Sequence, residues 1–76
     1  MIEEIAAYKD QPGVQGDLAR ELLAIVNDYR SGALSLEEKQ ELVEDVVRIY
    51  QEAAHADGEV AVRWVVAAGS IAIGLV

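Results

Sequence analysis

His55 is the only histidine in the chain, and it stands in the acidic run Glu52-Ala53-Ala54-His55-Ala56-Asp57. An imidazole beside a carboxylate is the usual pairing for proton transfer near neutral pH, so His55 with Glu52 or Asp57 is the first combination to consider for base or weak metal chemistry. Nucleophilic catalysis would need a hydroxyl beside it, and the serines are Ser31, Ser35 and Ser70. Ser31 and Ser35 fall where a turn and a helix cap already engage a hydroxyl. Glu37 and Glu38 are neighbours on a helix and point in different directions, without the enclosed pocket that paired carboxylates need. Asp57-Gly58 fits the middle of a calcium loop, but the first, third and twelfth positions would then be Ala53, His55 and Trp64, which supply no carboxylate. There is no cysteine and no glycine-rich phosphate loop. The residues therefore read as those of a non-enzyme with no metal and no cofactor, and His55 as a partly exposed residue at a helix end.

What the chain specifies strongly is helices. In residues 17–56, Leu18, Leu22, Ile25, Val26 and Tyr29 recur at steps of three and four, which places them on one stripe widened by Leu23. Asp17 reads as the cap that opens this helix and Ser31-Gly32 as its stop, where glycine accepts the left-handed conformation. Ser35-Leu36-Glu37-Glu38 is an S-x-x-E capping box and opens the next helix. Leu36, Val43, Val46, Val47, Tyr50, Ala53 and Ala54 keep the helical period there, flanked by Leu42 and Ile49, with Glu44 and Arg48 spaced to pair. A link of about four residues predicts an antiparallel hairpin.

The run L-x-x-x-x-x-D-Y-x-x-G-A-L-S-x-E-E-x-x-E-L, residues 22–42, resembles the short helical hairpins that end many bacterial oligomerising proteins, the short C-terminal domain family. It is also similar to hairpins in small virion proteins of tailed bacteriophages. The resemblance rests on Tyr29, Gly32, Ser35, Glu37 and Glu38. It implies a helical protein that assembles with copies of itself or with other proteins, located in a virion or in the cytoplasm.

The hairpin is flanked on both sides. Residues 1–10 predict a short helical arm with Ile2, Ile5 and Tyr8 on one side, ended by Pro12-Gly13. Residues 60–76 form a hydrophobic segment whose only charge is Arg63. A helix is expected there, with a β-strand or hairpin as the alternative, because Gly69 and Gly74 weaken a helix and the valines favour a strand. Ala68 with Ala72, and Ser70 with Gly74, have the small-x-x-x-small spacing that permits close helix contact. From Trp64 to the end no residue is charged, and as a helix this stretch spans roughly 20 Å against about 30 Å of bilayer hydrocarbon. Counted from Val60 the length is at the lower limit for spanning, so a membrane anchor is the alternative to an assembly segment.

At 76 residues the chain is expected to be one small, mainly α domain with a marginal core, built without phenylalanine and with one tryptophan. All fourteen acidic residues and five of the six basic ones precede Val60. An acidic surface of this kind argues against direct nucleic-acid binding. The function expected is that of a structural or interaction protein, or, failing that, of a soluble acidic adaptor. Its partner is a protein, including a second copy, and the contact surface is assigned to Trp64, Val65, Ile71, Ile73 and Leu75. On this reading, deleting residues 64–76 leaves a soluble, partly helical hairpin.

Overall fold

Leucines and valines at helical spacing, punctuated by Pro12, Gly32 and Gly58, produce helices throughout the computed structural model, which describes residues 2–75. They are α1 (Ile2–Ala6), α2 (Gly13–Arg30), α3 (Leu36–Ala54) and α4 (Glu59–Gly74), with a 3-10 turn at His55–Asp57 between the last two. No strand occurs among the described residues. The C-terminal segment is therefore a helix, because burying Ala61, Val65, Ala68, Gly69 and Ala72 along one side outweighs the weak propensity of its valines and glycines. Met1 and Val76, the outer ends of the arm and of that segment, lie outside the described residues.

The second helix of the hairpin begins as its sequence dictates. The Ser35 hydroxyl accepts from the Glu38 N–H at 3.1 Å, and the Glu38 carboxylate accepts from the Ser35 N–H at 2.9 Å. The hydrogen bond from the Ser35 backbone, followed by that with its side chain, holds the Glu38 carboxyl below the usual range. Replacing Ser35 by Ala removes the acceptor and should lower stability by about 1 kcal/mol. A denaturant midpoint identical to wild type would contradict that role.

The start of α2 differs from expectation. The helix begins at Gly13, with Pro12 at its cap, so Asp17 lies inside the second turn and forms an ion pair with Arg20 instead of capping. Pro12 is itself the cap residue, extended at φ −74° and ψ 161°, and its side chain makes no cap hydrogen bond. Arg20 also donates to the Lys9 carbonyl at 2.6 Å, tying the turn after α1 to α2. That turn lies so close that a Cβ on Gly16 would sit 1.7 Å from the Gln11 carbonyl oxygen. Arg48 likewise pairs with Asp45, at 3.3 Å, and not with Glu44.

Side-chain contacts fix the topology. The Lys39 ammonium lies 5.0 Å from the Tyr29 ring centre, whereas Tyr50 meets Glu21, so α2 and α3 run antiparallel. Lys39 also reaches the end of α4, and Val47 touches Gly69, so α4 runs antiparallel to α3. The three long helices form a bundle, and α1 packs against α2 and α4. Leu18, Leu22 and Val26 of α2, Val43 of α3 and Val65 and Ala72 of α4 are fully buried at its centre. A Cβ on Gly69 would lie 2.5 Å from a Val47 methyl carbon, so glycine at this position lets α3 and α4 approach closely.

The buried charged residue is Lys39, at 0% exposure. Its Nζ donates to the carbonyls of Ala72 at 2.9 Å, Ile73 at 3.3 Å and Leu75. Three acceptors require three N–H donors, which only the ammonium has. Burial pushes this group below the ordinary lysine value. The carbonyls and the negative end of the α4 dipole favour the charge in return. Gln40 adds a hydrogen bond from Nε2 to Ile73 O at 3.1 Å. The last turn of α4 is thus held by side chains of α3.

Candidate functional site

The three serine hydroxyls are each engaged within their own segment. His55 is exposed in the 3-10 turn, and its backbone N–H closes α3 on the carbonyls of Glu52 and Ala53. The Ser31 hydroxyl donates to Asp28 O at 3.1 Å, the Ser70 hydroxyl donates to Val66 O at 3.0 Å, and Ser35 serves the capping box. Among the described residues, no group of three or more His, Asp or Glu side chains is arranged to hold a metal ion. Gly58, at φ 104°, makes the Asp57-Gly58 pair a turn into α4.

Two clefts among the described residues bear on a contact surface, an apolar one and one of mixed lining that includes Glu44, Arg48, Gln51 and Ser70. A cleft of about 370 Å³ lies between α1 and α4, walled by Ile5, Tyr8, Trp64, Ala67 and Ile71. The Tyr8 and Trp64 rings are 4.8 Å apart and tilted by 50°, a favourable aromatic geometry that seats the turn after α1 on α4. A second cleft of about 370 Å³ runs between α3 and α4, with Gly69 and Val47 at its base and Val66 and Ile73 along one wall.

The five residues assigned to a contact surface do not share a face. Val65 is 0% exposed and belongs to the chain's own core, which corrects its assignment as a contact residue. Trp64 and Ile71, half-buried, line the α1–α4 cleft, while Ile73, at 36% exposure, lines the cleft on the opposite side of α4. Leu75 is half-buried against the core, and its carbonyl accepts from Lys39. An advance of about 100° per residue separates positions 64, 65 and 73 around the helix, which a list of apolar residues conceals.

Large apolar side chains are exposed on α3 as well as on α4. Leu42 is 39% exposed, Ile49 65%, Val60 76% and Val66 44%. Leu42 and Ile49 are joined at steps of four and three by the half-buried Val46 and form a stripe along α3, while Val66 and Ile73 are seven apart on α4 with buried Gly69 between them. By their spacing Leu42 and Ile49 flank the hairpin seam. The interhelical contact instead takes Val43 and Ala54 and leaves that flank outside.

Tyr50 carries the clearest electrostatic signature in the α2–α3 groove. Burial, then a hydrogen bond to the Glu21 carboxylate and the negative charges of Glu21 and Asp17, push its phenol up to about 12. Below pH ~10 both folded and unfolded chains hold this proton. Between ~10 and 12 only the folded chain keeps it, so this contribution to stability falls as pH rises through that window. The difference between alkaline absorbance titrations of wild type and Tyr50→Phe should have its midpoint near 12. A midpoint near 10 would show that the phenol does not face Glu21 in solution.

Comparison with known proteins gives no match: no family model, curated protein or solved structure is similar to this chain.

Proposed function

We propose that this chain is a non-enzymatic interaction protein that builds its own core and is held in a larger assembly through apolar flanks it cannot cover. The observation that carries the reading is the exposure of large aliphatic side chains on α3 and α4, with Ile49 at 65% and Val66 at 44%. Single exposed apolar residues are ordinary on any protein surface, whereas a continuous row such as Leu42, Val46 and Ile49 marks a contact surface. The α1–α4 cleft adds an anchor of the kind interfaces favour, a half-buried tryptophan beside a tyrosine. The hairpin resemblance in residues 22–42 suggests the specific form, a virion or assembly component of a tailed phage or an oligomerising module.

Membrane anchoring has less support. Among the described residues, no helix is long and apolar enough to cross a bilayer. One side of α4 is also already committed to the protein core.

The test is the mass of the native particle, by light scattering after gel filtration, with and without detergent. A particle well above 8.2 kDa that detergent does not alter is expected. A particle of 8.2 kDa, or one whose mass follows detergent, would overturn the reading.

A further inference from the structure

Leu42, Val46, Ile49 and Ala53 follow one another at steps of four, three and four on α3, the spacing of a seam that accepts another helix. Leu42, Ile49 and Ala53 are exposed and Val46 is half-buried, so the seam is open along about three turns. It lies on the side of α3 that faces the outer edge of α2, because Tyr50 on the neighbouring row meets Glu21. Helical spacing puts Asp17 and Asp28 on the same edge of α2 as Glu21, and all three are exposed. On the far edge of the seam, Glu38, Asp45 and Glu52 recur every seven residues, again all exposed.

Both rims of an apolar groove are therefore acidic. Arg20 is paired with Asp17 and Arg48 with Asp45, which leaves Glu21, Asp28, Glu38 and Glu52 without a cation among the described residues. Resting on the assembly reading, we infer that this groove docks a basic amphipathic helix of a partner protein, with its apolar face on Leu42, Val46, Ile49 and Ala53 and Lys or Arg on both flanks. A second copy of this chain at the same groove would bring two acidic rims together, which costs rather than stabilises. A basic helix neutralises both rims while filling the seam, as helix-in-groove recognition requires.

The test uses a fluorescein-labelled peptide of about 18 residues with Leu along its seam and Lys on both flanks, read by anisotropy. One control replaces Leu by Gln and the other replaces Lys by Glu. Two chain variants complete the design, Leu42→Gln with Ile49→Gln and Asp28→Asn with Glu52→Gln, each confirmed as folded by its thermal melt. The substituted side chains are exposed, so the core is untouched.

The basic amphipathic peptide should bind, and the apolar variant should weaken it by roughly tenfold or more. The charge variant should weaken binding at low salt and flatten its salt dependence. Equal binding of either control peptide, or indifference to both variants, would overturn the inference. If no peptide bound while the native particle still exceeded 8.2 kDa, the docking inference would fall and the assembly reading would stand. A native mass of 8.2 kDa would remove the assembly reading itself.

Discussion

Deletion of residues 64–76 unfolds the chain; this is the expected result, in place of the soluble hairpin that the sequence implies. The truncation removes Val65, Ala68 and Ala72 from the core and exposes the faces of Leu18, Leu22, Val26 and Val43. Each fully buried aliphatic side chain of this size contributes about 1.5–3 kcal/mol, and a core in a chain of this length supplies only about 3–5 kcal/mol in all. The truncation also takes away the carbonyls of Ala72, Ile73 and Leu75 and leaves the Lys39 ammonium without acceptors. Circular dichroism should show a non-cooperative melt with most helix lost. A cooperative melt with the helix of residues 13–54 retained would mean that the hairpin is an independent unit.

Lys39→Met is the second large effect. Methionine keeps the length and the apolar stem but donates nothing, so it isolates the hydrogen bonds from the packing. Exchanging a buried ion for a hydrophobe can be neutral or stabilising when its partners go with it. Here the acceptors remain: the buried Ala72 carbonyl keeps only the 3.4 Å bond from the Leu75 N–H, and the Ile73 carbonyl keeps Gln40. A loss of about 1–3 kcal/mol is expected, a large share of the stability of a chain this small. Amide hydrogen exchange should accelerate first in the last turn of α4. A melt equal to wild type would show that water replaces the ammonium without cost.

What could be read from the sequence is what is decided locally. The capping box at Ser35, the stop at Gly32 and the stripe from Leu18 to Val26 each depend on residues within a turn or two of one another. All three occur as read. Lys39 was missed because its acceptors lie 33 to 36 residues away. The available signal was its position, since Lys39 stands three residues after Leu36 and four before Val43, on the apolar side of α3. A lysine on that side must find buried acceptors or carry its ammonium out along the helix surface to water. Asp17 reads as a cap because an acidic residue before a leucine run resembles one, while the true entry at Pro12-Gly13 reads only as a break. The contact surface was half legible, since its residues are apolar beyond the needs of a hairpin. Which of them close the core was decided by α4 packing between α2 and α3, a long-range choice that spacing alone does not encode.

The central claim is that apolar side chains left outside the bundle hold the chain in its assembly, and co-sedimentation of a double variant tests it most directly. Ile49→Glu with Val66→Glu changes two exposed side chains and leaves the core intact. This chain should melt within about 0.5 kcal/mol of wild type. It should nevertheless be lost from the native particle that wild type enters. A folded double variant that sediments with that particle as completely as wild type does would contradict the account.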